Sequence, residues 1–138
     1  METVLSSEGG PLGSPLPQEF LDQLSNQEEV LVSSRDARGT GRVAMWFAIS
    51  PQGYVYLLTP SFSLKVQRWQ EDPWVRLAVP GGGPSQEGVV RRVGLAELEG
   101  DLPLILSRFA MAGAVTAEAL AWMLESGSHM LLRVERSR

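Results

Sequence analysis

Apolar and polar positions along this chain fall mostly into short strand-like stretches, interrupted by four segments with helical spacing. Phe20, Leu21 and Leu24 predict a short helix within residues 17–27. Val30 to Ser34 is short and β-rich, and Asp36-Ala37-Arg38-Gly39-Thr40-Gly41 reads as a turn. Arg42 to Ile49 (RVAMWFAI) is almost entirely apolar, the pattern of a strand covered on both faces. One face of a small barrel strand meets the core, so a subunit, a helix or a flat cofactor has to cover the other. Ser50-Pro51-Gln52-Gly53 forms a turn, and Tyr54 to Thr59 the returning strand of a hairpin.

A helix is predicted over residues 63–72, with Phe62, Val66 and Trp69 on one face and Pro73 as its stop. Residues 74–79 form a strand with Val75, Leu77 and Val79 on one side. After the loop Gly81-Gly82-Gly83-Pro84-Ser85 comes a strand over residues 88–98, whose alternation breaks near Arg91-Arg92 and points to a bulge there. Two helices follow near residues 102–111 and 117–125, the second capped by Thr116 with Glu118 in its first turn. Residues 130–134 close the chain as a strand. Six strands with few helices predict a mainly β (α+β) fold, a six-stranded antiparallel split β-barrel with short flanking helices.

Composition narrows the function. The 138 residues suit one domain, which buries roughly 70% of its unfolded surface. Residues 1–16, rich in Gly, Pro and Ser, read as a flexible arm, leaving residues 17–138 as the folded domain. The net charge of −4 and the lack of a long basic run argue against nucleic acid or an anionic membrane as partner. The absence of cysteine excludes disulfides, thiolate metal sites and cysteine nucleophiles, and fits a reducing compartment. With no signal-peptide pattern and no apolar stretch long enough to span a bilayer, a cytoplasmic protein is expected. The cationic residues are eleven arginines and one lysine, Lys65.

That lysine stands in the segment with the clearest chemistry, Thr59-Pro60-Ser61-Phe62-Ser63-Leu64-Lys65. A strand ends, a turn follows and a helix begins, so free backbone N–H groups and the positive dipole end are presented together. Ser61 and Ser63 add hydroxyls, and Lys65 adds a compact charge suited to phosphate. Ser61, Lys65 and Arg68 are spaced i, i+4, i+7 and would share a helical face. By themselves these residues leave two readings open: an anion site, or a capped helix with a solvated lysine.

The string T-x-x-x-S-x-K over Thr59–Lys65, followed by V-x-R-W-x-x-D-P-x-V over Val66–Val75, resembles the pyridoxamine 5′-phosphate oxidase-like FMN-binding split-barrel superfamily. The resemblance covers about residues 17–136, with Trp69 where that family usually has leucine. It implies an FMN whose phosphate lies against Ser63 and Lys65, with Ser61 and Leu64 in the same segment. It also implies cofactor contacts from Leu58 and Thr59 at the end of the preceding strand. The Arg-led strand, Arg42, Val43, Ala44, Met45, Trp46 and Phe47, would lie along the flavin. A homodimer with the flavin at the subunit interface is implied too, which would account for the doubly apolar strand.

Departures from the family pattern restrict the implied activity. The vitamin B6 oxidases proper have a lysine where Phe47 stands, a glutamine where Val89 stands, and a substrate-binding C-terminal segment with Trp and Arg that is not found before Arg138. The expectation is therefore an FMN-dependent oxidoreductase exchanging electrons with a nicotinamide donor or a small organic substrate. One alternative is a deazaflavin-dependent reductase of the same fold, its longer tail met by Arg68, Arg91 and Arg92. Another is a non-catalytic flavin-binding or cofactor-less dimer.

Other residue groups read more simply. His129, the one histidine, has no companion ligands and is expected before a strand at the surface. The three-glycine loop lacks the Gly-Lys-Ser/Thr ending of a nucleotide loop. The carboxylates Glu97, Glu99 and Asp101, and Glu71 with Asp72, lie at element ends where charge is solvated. Ser33 and Ser34 have no histidine nearby in sequence, against a triad. Trp46 belongs either to the core or to a flavin face, and Arg91 and Arg92 either point to water or edge the cleft.

Overall fold

The computed structural model describes residues 13–136. Its elements run α1 (Gln18–Leu24), β1 (Glu29–Asp36), β2 (Gly39–Trp46), β3 (Ala48–Ile49), β4 (Val55–Pro60), α2 (Leu64–Glu71), β5 (Trp74–Ala78), β6 (Ser85–Arg92), α3 (Leu102–Phe109), α4 (Ala117–Glu125) and β7 (His129–Arg136). Short 3-10 turns at Leu95–Glu97, Glu99–Asp101 and Ala110–Ala112 join the later elements. No single helix among the described residues is long and apolar enough to cross a membrane.

All seven strands form one antiparallel sheet in the order β2-β1-β5-β6-β7-β4-β3. β2 and β3 stand at opposite ends of that order, yet only Phe47 separates them in the chain. The sheet must therefore curl until its two edges meet, which makes it a split barrel. The seventh strand arises at this corner, where the predicted strand 42–49 divides. The Phe47 carbonyl leaves the ladder and accepts a hydrogen bond from Arg108 Nε at 2.9 Å, while its ring turns into the core.

Each face of the sheet carries its own apolar cluster. Inside the curl, Val30, Val32, Met45, Leu57, Val75, Leu77, Leu132 and Val134 pack with Phe20, Leu21 and Leu24 of α1 and Val66 and Trp69 of α2. On the other face, α3 and α4 bring Ile105, Phe109, Leu120 and Met123 against Tyr56 and Leu131. The alternation of β4 and β7 feeds both: Leu57 and Leu132 point one way, Tyr56 and Leu131 the other.

The structure corrects several local expectations. The β1–β2 turn is tighter than the predicted segment, since Asp36 already pairs with Gly39. Asp36 Oδ1 accepts the Arg38 amide at 2.8 Å, and Gly39 takes φ 144°, a backbone region that favours glycine. There is no bulge at Arg91-Arg92: β6 pairs with β7 in unbroken register from Gly88↔Arg136 to Arg92↔Leu132. The alternation breaks because Arg91 points to the buried Glu135, 3.4 Å away. β6 also ends at Arg92 rather than Leu98, where the chain turns at Gly94 and Glu97 accepts the Gly94 amide. Phe62 does not join the buried face of α2; it is 80% exposed in the preceding turn. The Thr116 cap forms as expected, accepting the Ala119 amide at 3.0 Å.

Of the segment read as an arm, residues 1–12 lie outside the described residues. Gly13 to Leu16 are docked: the Gly13 amide donates to Glu135, the Gly13 carbonyl accepts from the Tyr54 hydroxyl, and Leu16 is buried. Glu135 and Arg133 form a buried ion pair at 2.8 Å that anchors this end of the sheet.

Trp69 is the largest wholly buried side chain and the main contact of α2 with the barrel, its indole N–H donating to the Trp74 carbonyl at 3.1 Å. Trp69→Ala is expected to cost about 3–5 kcal/mol of stability in urea unfolding. A loss below about 1 kcal/mol would show that α2 is not held this way.

Candidate functional site

α2 lies across the β1–β2 hairpin with Val66 and Trp69 buried, so Lys65 and Arg68, on the neighbouring stripe, are brought to its rim. Beneath them, β1 and β2 place Val32 opposite Val43 and Ser34 opposite Gly41. These small and medium side chains leave a cleft of 370 Å³ between hairpin and helix, lined by Val32, Ser34, Gly41, Arg42, Val43, Leu64, Lys65 and Arg68. That volume is within the usual range for a small-molecule site.

The start of α2 offers unused donors. Ser63 is the N-cap residue, but its side chain makes no capping bond. The Leu64 and Lys65 amides find no acceptor among the described residues. The Ser63 and Thr59 hydroxyls are both buried without a partner, an arrangement native proteins rarely leave unfilled. Lys65 is half-buried with no carboxylate partner among the described ion pairs, and burial pushes its ammonium below the ordinary lysine range. Arg42 is exposed and likewise unpaired among them. A concave site lined by two cations without carboxylate partners among the described ion pairs, at a helix start with free amides, has the donor set of an anion site. These residues fit a phosphate monoester.

Of the residues singled out in the sequence, the cleft gathers Arg42, Val43, Leu64 and Lys65, with Thr59 and Ser63 buried beside the helix start. Ala44 and Trp46 are exposed on the edge strand β2. Met45 and Phe47 are buried in the inner cluster, and Leu58 packs against the outer one. Ser61 does not share the face of Lys65. The helix begins only at Leu64, and Ser61 sits in the turn, its amide bonded to the Ser128 carbonyl. Sequence reasoning missed Val32, Ser34 and Gly41 as lining residues. The alternation of β1 could have shown Ser34 beside Val32 on the inner face, but which helix covers them is a tertiary fact.

Arg91 and Arg92 do not line this cleft. Arg91 pairs with Glu135. Arg92 lines a larger cleft of 740 Å³ on the far face of the sheet, with His129, Glu125 and Leu124. There the Ser128 hydroxyl lies 3.2 Å from the Met123 carbonyl and 2.9 Å from Nδ1 of His129. The carboxylates read as solvated are largely engaged: Asp72 pairs with Arg35 at 2.7 Å, Glu97 takes the Gly94 amide, and Asp101 accepts from Tyr56. Burial, reinforced by that bond to Asp101, pushes the Tyr56 hydroxyl up to about 12. Ser33 and Ser34 are buried in β1, and the three glycines lie in an exposed turn. No group of three or more metal-ligating side chains occurs among the described residues.

No family model matches the chain, and no curated protein matches it by sequence. Solved structures do match it in fold. A candidate pyridoxamine 5′-phosphate oxidase from Listeria innocua superposes with a TM-score of 0.62 at 12% identity, over 88% of this chain and 93% of its own. An FAD-binding protein from Mesorhizobium loti gives 0.59 at 15%, over 89% and 91%. The protein Atu2129 of unknown function from Agrobacterium tumefaciens gives 0.64 at 15%, over 94% of this chain but only 57% of its own length. The split-barrel fold that the motifs implied is the fold these proteins share.

In the ligand-free protein, Lys65 should titrate below the range of an exposed lysine, as followed by the Cε chemical shift of its side chain. An ordinary lysine titration would show that the ammonium is fully hydrated and the cleft open to water.

Proposed function

We propose that this protein binds FMN and serves as an oxidoreductase toward a small substrate or a nicotinamide donor. The observation that supports the reading is the half-buried Lys65 at the start of α2, without a carboxylate partner among the described residues, in the turn that follows the buried, partnerless hydroxyls of Thr59 and Ser63. The likeness in fold to flavin-associated proteins such as the Mesorhizobium one supports a flavin over other phosphorylated ligands.

In this reading Lys65, the Leu64 and Lys65 amides and Arg42 bind the phosphate, and Val43 supplies apolar surface beside it. FMN, when bound, supplies hydride or single-electron transfer. The chain contributes charge, orientation and exclusion of water. The energetics favour the assignment: a cation already stripped of part of its hydration gains more from a phosphate than an exposed one does.

The same reading includes a homodimer. β2 is an edge strand whose outer face remains uncovered, with Ala44 exposed and Trp46 44% exposed there, while Val43 belongs to the cleft face. A second copy lying there would cover this apolar strip and enclose a flavin ring, leaving Trp46 to contact the ring or the partner. A cytoplasmic location accords with the absence of cysteine. Of the residues named for the deazaflavin alternative, Arg68 lines the cleft, whereas Arg91 and Arg92 lie away from it.

The purified protein should take up FMN, turn yellow and bleach anaerobically with NADH or NADPH; a colourless protein that does not bind added FMN contradicts the reading. Lys65→Ala should weaken FMN about ten- to hundredfold, a charge-assisted contact of roughly 1.5–3 kcal/mol. Unchanged affinity in the folded variant refutes the phosphate assignment. The affinity should also depend on pH with a definite sign. The phosphate needs Lys65 protonated, so binding is strongest below the Lys65 pKa and weakens as pH rises through it, starting below the ordinary lysine range.

A further inference from the structure

Arg68 separates the Lys65 cleft from a second cleft of 290 Å³ that continues along α2 toward the β1–β2 turn, and Leu64 and Arg68 line both. Three features fix Arg68 as the wall between them. Its Nε donates to Asp36 Oδ2 at 3.2 Å, and both side chains are mostly buried, at 17% and 18% exposure. Asp36 is itself held, since its other oxygen accepts the Arg38 amide, and that bond and Arg68 keep its carboxyl ionised. Gly41 lies directly beneath the guanidinium: a Cβ there would collide with Arg68 Nη1.

Beyond the wall the charge changes character. The second cleft is edged by Asp36 and Glu71 as well as Arg38 and Arg68, so its cations are matched by carboxylates. The Lys65 cleft has no carboxylate in its lining. A phosphate bearing only its sugar chain can end at Lys65. A tail that continues from that phosphate along α2 meets Arg68 and brings added negative charge toward Asp36 and Glu71.

We propose that Arg68, locked over Gly41 by Asp36, terminates the phosphate site and selects a cofactor ending in a phosphate monoester over one whose phosphate carries an extended anionic tail. The inference rests on the FMN reading and deepens it. Selectivity arises from a barrier to the wrong ligand as well as from contacts to the right one. The ion pair suits this role because both partners are part-buried, and breaking it to admit a tail leaves Asp36 without its guanidinium.

The test is equilibrium ultrafiltration of the full-length protein, freed of bound flavin, with FMN and with FAD as probes. The native protein should prefer FMN by about tenfold or more, and Arg68→Ala should narrow the ratio to about threefold or less, chiefly by tightening FAD. Asp36→Asn keeps an acceptor for the Arg38 amide but removes the charge that holds Arg68, so the ratio should narrow in the same direction. Thermal melts establish that each variant is folded. Equal affinity of the native protein for FMN and FAD, or an unchanged ratio in both folded variants, overturns the gate. Failure of the native protein to bind either flavin overturns the FMN reading itself, a separate result.

Discussion

Burial of Trp69 and Val66 against the β1–β2 hairpin is the interaction on which the rest of the site depends. An α-helix turns 100° per residue, so sinking positions 66 and 69 into the barrel leaves positions 65 and 68 at the rim. Lys65 is thus held half-dehydrated by the packing around it, with no carboxylate partner among the described residues to draw it there. The hydrophobic energy of the helix face supports a charge in a place that water would otherwise favour less. The native fold carries this local cost, which an anionic ligand would offset.

A second constraint comes from closure of the barrel. The corner at Phe47 forces β2 to the edge of the sheet, and the strand that lines the cleft through Arg42 and Val43 leaves Ala44 and Trp46 exposed on its other face. Phosphate cleft and apolar strip are therefore neighbours by construction. The far face, closed by α3 and α4, has its own cleft around His129 and shares no residue with the first.

Most of the fold was legible in the sequence because its signals are local. The alternation at Val75, Leu77 and Val79, the Thr116 cap and the Pro73 stop each act over a few residues, and each appears where expected. What escaped was set by distant partners. The break at Arg91 looks like a bulge until Glu135, on another strand, is placed beside it. The division at Phe47 depends on Arg108, sixty-one positions later. Ser61 fits a helical face by spacing, but the Ser128 carbonyl holds it in the turn instead. In the site itself, the lysine and the helix start were readable. The floor of Ser34 and Gly41, and the lock of Arg68 by Asp36, appear only once the hairpin and the helix are packed together.

The start of α2 and Lys65 form the proposed phosphate site. A crystal structure of the protein with FMN tests it most directly. The phosphate is expected within about 3 Å of Lys65 Nζ and of the Leu64 and Lys65 amides, as charge-assisted hydrogen bonds require. Phosphate density in the His129 cleft, or FMN bound with Lys65 still facing water, would contradict it.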